Sequence, residues 1–475
     1  MHFLGLWVLF FTGCGSSVPS PPDLGPRSNL SAEQAASARA ACTFKAGTVP
    51  GLSLAKGVPI GPEIPIDTIV IVMMENRSFD HLLGNLPAAG QPDVAVAALD
   101  ATNPDGKGQP VARFHLKDYC FDDTNHSWSG SRTEWHGGKN DGFVLANDLA
   151  HRKNAIHDPE GHRAMGFYDQ NDLPFLYALA SSFSIGDHYF CSLLGPTVPN
   201  REFLYAATSF GVTFNHLVTQ PQPTLLEALS GAAVPWHVYA ETLPGSAIFA
   251  SNFVSNHGDH YDTFPAFLEA AVAGTLESVV LVDPNLRDGT GADRDDYHPP
   301  GDVQVGDAFL AKVVGALTAS PQWAHLALFI TFDEHGGLYD HVPPPTACPP
   351  DDSPIALDHG NPMPAPGEGF DRLGFRVPLI VVSPYARPHF VSHRVYDHTS
   401  IARFVEARFL LGALSARDAN ADPLYELFDF SRPQLLTPPQ LPAVPVDAAK
   451  LAACLAQFPG QGNDGGLDVE TDDAG

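Results

Sequence analysis

Two apolar stretches of this chain end in the same way, and that shared ending narrows the folds open to it. Ile69-Val70-Ile71-Val72-Met73-Met74 runs unbroken into Glu75-Asn76-Arg77-Ser78-Phe79-Asp80-His81, and Leu326-Ala327-Leu328-Phe329-Ile330-Thr331-Phe332 runs into Asp333-Glu334-His335-Gly336-Gly337. A strand with an unbroken apolar row is buried on both faces, the situation of parallel sheets covered by helices. Ligands in such sheets bind beyond the carboxyl ends of the strands, so two such strands side by side would gather Glu75, Asn76, Asp333 and Glu334 into one oxygen-rich pocket. Strands are predicted at 68–74, 278–282, 326–332 and 377–383, and helices at 173–182, 224–229, 305–317 and 400–410. Their alternation predicts an α/β fold, a mostly parallel central sheet covered by helices on both faces, with long loop insertions.

With 475 residues, 44% of them hydrophobic, the chain can bury a large core. Its formal charge of −28 argues against nucleic acid as a partner, because nothing offsets phosphate repulsion over most of the surface. An anionic substrate then needs locally concentrated positive charge, which a metal ion supplies compactly. The 44 prolines and 42 glycines point to long ordered loops rather than a helical bundle.

Residues 1–14 hold a short apolar core followed by small residues and Cys14, too short for a comfortable membrane span. The segment resembles a lipoprotein-type signal, in which Cys14 is lipidated and becomes the mature N-terminus, although the usual early Lys or Arg is missing. An ordinary cleaved signal is the other reading. Either predicts export, as a periplasmic or cell-envelope lipoprotein or as a secreted protein. Residues 15–60, whose start is rich in Ser, Pro and Ala, are expected to be a tether, 61–459 a single domain, and 460–475 an acidic disordered tail. Cys42, Cys120, Cys191, Cys348 and Cys454 could form up to two disulfides in an oxidising compartment, with the pairing open.

In Gly195-Pro196-Thr197-Val198-Pro199-Asn200-Arg201 a hydroxyl sits between two prolines, which would hold Thr197 in a defined direction. A threonine becomes a competent nucleophile when its proton is removed or its oxygen is bound to a metal. Histidines could balance charge on phosphoryl oxygens or protonate a leaving group; His126, His237 and His298 stand out because they are expected in polar, aromatic or proline-bounded loops outside regular elements. Each of these motifs alone reads more readily as a cap, an ordinary turn or a structural histidine.

Taken together, Glu75-Asn76-Arg77-Ser78-Phe79-Asp80-His81, Gly-Pro-Thr-x-Pro-Asn-Arg and Asp333-Glu334-His335-Gly336-Gly337-x-Tyr339-Asp340-His341-Val342 resemble the phosphoesterase family of bacterial phospholipases C, plant non-specific phospholipases C and a bacterial acid phosphatase. The stretches at 172–175, 205–209 and 396–400 extend the likeness, which runs from about residue 67 to 412. The resemblance implies an alkaline-phosphatase-like fold and one divalent metal ion (calcium, magnesium, manganese or zinc) held by Glu75, Asn76, Asp333, Glu334 and Thr197. It also implies that Thr197 is the nucleophile and passes through a phosphothreonine, that His126, His237 and His298 line the phosphate pocket, and that His136, His335 and Arg201 support substrate. Arg201 could instead brace its loop. The implied function is an exported phospholipase C-like hydrolase of a phospholipid or small phosphoester. It would meet the membrane through a lipid anchor on Cys14 or by transient contact. An acid phosphatase of broad phosphomonoester specificity is the alternative, on the expectation that the chain ends too soon for the C-terminal β-domains of the large bacterial phospholipases. An inactive surface-binding lipoprotein is the third reading, against which the intact nucleophile and ligands argue.

Overall fold

A computed structural model of the chain describes residues 24–153, 155–217, 222–249, 253–286, 294–357, 363–364 and 369–459. Cys14, the signal segment and the tail expected at 460–475 lie outside them. The central sheet has eight strands: β1 (Thr68–Met74), β2 (Ser184–Gly186), β3 (Trp236–Ala240), β4 (Tyr261–Thr263), β5 (Val279–Asp283), β6 (Leu326–Phe332), β7 (Leu379–Val382) and β8 (Phe390–Ser392). They lie in the order β8-β2-β7-β6-β1-β5-β3-β4. Only β7 runs against the others, pairing antiparallel with both β6 and β2. The sheet is therefore mostly parallel, as its doubly buried apolar strands predict: every residue of β1, β5, β6 and β7 is buried.

The two opening stretches are neighbours in step. β1 and β6 pair in parallel from Thr68 opposite Leu326 to Met74 opposite Phe332, so Glu75 and Asp333 leave the sheet side by side. Helices shield both faces. In Val303–Thr318 the buried Phe309, Leu310, Val313, Val314 and Leu317 recur at three- and four-residue spacing, and Asp302 caps the start by accepting the Gln304 N–H. Helix His398–Phe409 is buried along nearly its whole length and packs against helix Thr197–Ala206.

Two expectations are revised. The strands Ser184–Gly186, Trp236–Ala240, Tyr261–Thr263 and Phe390–Ser392 are absent from the sequence-based set, three of them because they are only three residues long and Trp236–Ala240 because His237 and Tyr239 interrupt its apolar row next to the sheet edge. The second concerns the segment expected as a tether, which from residue 24 onward packs on the domain. Helix Ala32–Ala40 starts at a reciprocal cap between Ser31 and Gln34. Arg403 donates to Ser53 Oγ, the Phe44 N–H donates to Asn420 Oδ1 at 3.1 Å, and Cys42 is disulfide-bonded to Cys348. A second disulfide joins Cys120 to Cys454 in helix Ala448–Gln457, and Cys191 is buried and unpaired. Among the described residues no helix is long and apolar enough to cross a membrane.

These bridges close chain segments of 306 and 334 residues, so each removes much of the freedom of the unfolded chain. Replacing Cys42 and Cys348 by serine is expected to lower stability by about 2–4 kcal/mol, read as an earlier midpoint in urea. An unchanged midpoint would show that this bridge contributes nothing to stability.

Candidate active site

The strand ends of β1 and β6 are locked by their own backbone. The Asp333 N–H donates to the Met74 carbonyl at 3.0 Å, the Asn76 N–H to Asp333 Oδ1 at 3.0 Å, and the Arg77 N–H to the Glu334 carbonyl at 3.0 Å. Asn76 turns the chain with φ of 58°, in the left-handed region that Asn tolerates better than most residues. The approach explains both glycines after His335. A Cβ on Gly336 would lie 2.1 Å from the Asn76 carbonyl oxygen, and one on Gly337 would lie 2.5 Å from that of Asn125. Only residues without a side chain let the three segments meet.

Side-chain orientations follow from which atoms can donate. His126 Nδ1 lies 2.8 Å from the Thr124 carbonyl, which can only accept, so Nδ1 carries the proton and Nε2 offers a lone pair. Asn76 Nδ2 is 3.2 Å from that Nε2 and donates to it. The Asn76 oxygen therefore points the other way. Asn76 Oδ1, Asp333 Oδ2 and Glu334 Oε1 are all buried and make no hydrogen bond. Three buried oxygens from two adjacent turns that accept no hydrogen bond are costly unless a cation faces them.

The charge count agrees. Glu75, Asp296, Asp333 and Glu334 are buried in one neighbourhood with two arginines. Arg201 lies 3.2 Å from Glu75 Oε1 and 3.4 Å from Asp333 Oδ2, while Arg294 lies 3.3 Å from Glu75 Oε2 and 2.5 Å from Asp296 Oδ2. Burial pushes the Glu75 carboxyl up to about 8, with Asp296 and Asp333 adding to the rise and Arg201 and Arg294 opposing it. Burial likewise raises Asp333 and Glu334. Burial alone would lower Arg201, but Glu75 and Asp333 carry it above its ordinary value. Ionised together, the four carboxylates would outnumber the two guanidiniums by two charges, which a divalent cation would balance, and an all-oxygen donor set suits a hard one.

Thr197 opens helix Thr197–Ala206, with Pro196 at the cap position. The proline-bounded loop expected around Thr197 is thus a helix start; Pro199 falls in the first turn, where backbone N–H groups have no intrahelical acceptor. Arg201 lies one turn on, on the Thr197 face of the helix. Its Nη2 also donates to the Met73 carbonyl at 3.2 Å, so Arg201 braces the two carboxylates, while its buried Nη1 makes no hydrogen bond.

Of the remaining expected residues, His298 and His335 join the centre. The His298 ring lies 5.7 Å from that of His126, edge-on, and its Nδ1–H donates to the Pro299 carbonyl at 2.5 Å, leaving Nε2 open. Burial, helped by Arg294 and His126, pulls its basicity well below normal. His335 sits between Glu334 Oε2 at 3.1 Å and Glu134 Oε2 at 2.6 Å. His237 and His136 do not join. His237 pairs in register with Val280, itself opposite Val70 near the start of β1, and faces Glu277 at 3.6 Å. It is therefore at the amino end of the sheet, away from Glu75. His136 is exposed and bound to Asp141 at 2.6 Å.

Four groups at the centre do not stand out in the sequence. Arg294 and Asp296 precede His298 in an acidic run that could have flagged them. Glu134 is overshadowed by His136 two residues on. His398 donates from Nε2 to the Asp333 carbonyl at 2.7 Å and accepts the Tyr189 hydroxyl on Nδ1 at 2.9 Å, so it holds the strand end. Arg77 and Ser78 are structural. Arg77 donates to the Tyr297 carbonyl at 2.6 and 2.8 Å. Ser78 caps helix Phe79–Leu83 and gives its proton to the Tyr339 carbonyl.

The model of the phosphoesterase family matches residues 66–412. Non-specific phospholipase C6 of Arabidopsis thaliana is 31% identical over 422 residues, covering 84% of this chain and 79% of that protein. Phospholipase C B of Mycobacterium tuberculosis is 31% identical over 447 residues, covering 82% and 83%. Among solved structures, a protein of the alkaline phosphatase superfamily from Vibrio parahaemolyticus aligns with a TM-score of 0.38 at 8% identity, over 83% of this chain and 78% of that one. The match over most of the domain settles the assignment: the chain belongs to the phosphoesterase family and is a phosphoric ester hydrolase.

Proposed function

We propose that this hydrolase is an exported, metal-dependent phosphodiesterase of phospholipase C type, acting through a phosphothreonine on Thr197. The observation that carries the metal-dependent reading is the set of three buried oxygens that accept no hydrogen bond, Asn76 Oδ1, Asp333 Oδ2 and Glu334 Oε1, of which only Asp333 Oδ2 has a cation near it, Arg201 at 3.4 Å. Together with Glu75 they would hold the divalent ion, with the Thr197 hydroxyl as a further ligand. When bound, the ion would supply positive charge that eases ionisation of a neighbouring hydroxyl and offsets charge on phosphoryl oxygens. The phospholipase C reading rests on the names of the relatives, and membrane lipid is the substrate it implies. Two disulfides support export to an oxidising compartment. Cys14 is the proposed point of lipid attachment.

The chain's own residues divide the work as follows. The start of helix Thr197–Ala206 presents Thr197 with the positive end of the helix dipole. Thr197 Oγ1 forms the bond to phosphorus as the bond to the leaving alcohol breaks. His298 Nε2, the open nitrogen of a ring fixed by the Pro299 carbonyl, takes the threonine proton and returns it to the departing oxygen. Water then attacks the phosphothreonine, giving its proton to the same nitrogen, which restores the Thr197 hydroxyl. His126 acts as a positioning residue by holding the Asn76 amide, and His335 acts likewise by holding Glu334 against Glu134.

Thr197→Ala is expected to lower kcat on bis-p-nitrophenyl phosphate and phosphatidylcholine by about 10⁴-fold or more, and to abolish acid-stable labelling by a phosphorus-labelled substrate. Equal turnover by the two proteins would remove Thr197 from the mechanism. Turnover of p-nitrophenyl phosphate alone would replace the diesterase by a monoesterase.

Metal dependence is tested separately. Chelation is expected to abolish turnover and lower the melting temperature, and a cation at about 100 times its Kd to restore about 2.7 kcal/mol of stability. Asp333→Asn should lose that restoration. Full activity after exhaustive chelation would contradict the metal assignment.

A further inference from the structure

A second cluster of metal-binding side chains lies on the same edge of the sheet but outside the site described above. β2 and β8 are adjacent and parallel, with Gly186 opposite Ser392, and the Asp187 N–H continues the ladder by donating to the Ser392 carbonyl at 3.1 Å. Asp187, His188 and His393 are therefore the first residues beyond two strands that end together. Asp187 is fully buried, and its Oδ2 accepts the Ala95 N–H at 2.8 Å. His188 Nδ1 is 2.7 Å from Asp187 Oδ1, and His393 Nδ1 is 2.9 Å from Oδ2. The two rings stand nearly perpendicular with centroids 6.2 Å apart. Arg376 Nη1 donates to the Asp187 carbonyl at 2.7 Å, so the residue is fixed through its backbone as well.

We propose that Asp187, His188 and His393 form a second metal site, for a divalent cation of the zinc class. Two imidazole nitrogens and a carboxylate oxygen, all within 4.8 Å of one another, are the donors that zinc, cobalt and nickel prefer and that calcium and magnesium do not. Carboxylate oxygens accept only, so each Nδ1 now carries a proton directed at Asp187. On binding a cation each neutral ring would shift its proton from Nδ1 to Nε2, so that both Nδ1 lone pairs and a carboxylate oxygen face the metal. His188 is 27% and His393 50% exposed, so water can complete the coordination. Asp93 Oδ2 lies 3.5 Å from His393 Nε2, the nitrogen that stays free, and would orient the ring in the way outer carboxylates orient metal-bound histidines. Strand β7 separates β2 from β6, which puts this site about 10 Å along the sheet from the Asp333 turn. It therefore has its own ligands, and it would fasten the edge strand β8 to the strand that leads into Thr197. The assignment does not depend on the hydrolytic reading.

The test uses the full chain, stripped with chelator and titrated with Zn²⁺ and with Co²⁺, beside His393→Gln and His188→Gln/His393→Gln. Metal content after dialysis and the visible spectrum of bound Co²⁺ are the readouts. The wild type is expected to hold one equivalent more than the double variant, and His393→Gln to weaken that equivalent by about tenfold or more. The same stoichiometry and affinity in wild type and His393→Gln would overturn the assignment. Circular dichroism checks that each variant is folded. If the double variant does not fold, the single substitution, at a half-exposed ring, decides between the two outcomes by itself.

Discussion

Two parallel strands that end in step place more negative charge in the interior than the interior can hold. Glu75 and Asp333 leave β1 and β6 side by side, Glu334 and Asp296 join them, and Arg201 and Arg294 offset only part of the total. Buried carboxylates in excess are unfavourable by several kcal/mol each unless paired. Much of the surrounding architecture serves that imbalance: Arg201 reaches in from the Thr197 helix, His398 holds the Asp333 carbonyl, and Glu134 and His335 steady Glu334. The same imbalance that weakens the fold is what the proposed cation would relieve.

The close contact of three chain segments sets how finely that pocket is defined. Asn76, Gly336 and the loop ending at His126 meet backbone to backbone, and the donor and acceptor on His126 settle which way the Asn76 amide faces. The orientation of one proposed ligand thus depends on a carbonyl oxygen at Thr124 that never approaches the pocket. Small residues and main-chain groups, rather than further charged side chains, convert a cluster of acids into an ordered set of donors.

Parts of this are legible in sequence and parts are not, for definite reasons. β1 and β6 are evident because doubly buried strands are apolar throughout, and the polar residues beyond them stand out against that background. β3 escapes notice because an imidazole and a phenol break the apolar pattern, so that His237, placed among the pocket residues by the family resemblance, reads as a loop residue instead of one near the amino end of a strand. The helix start at Thr197 reads as a loop because two prolines suggest a break, whereas Pro196 and Pro199 sit where a helix lacks N–H acceptors. Arg294 and Asp296 act through partners more than two hundred residues away in sequence, at Glu75, and spacing along the chain carries no trace of that. The segment before residue 60 has the composition of a tether, but a disulfide and a capped helix overrule composition.

The bond between Cys120 and Cys454 ties the loop that carries Asp123 and His126 to helix Ala448–Gln457. Because chains are made from the amino end, Cys454 follows Cys120 by 334 residues of synthesis. The loop that orients Asn76 cannot gain this covalent anchor until nearly all of the catalytic domain has been made. Synthesis as far as Cys454 and the anchoring of this loop are in this way joined, so a hydrolase that stops short of Cys454 lacks the fastening.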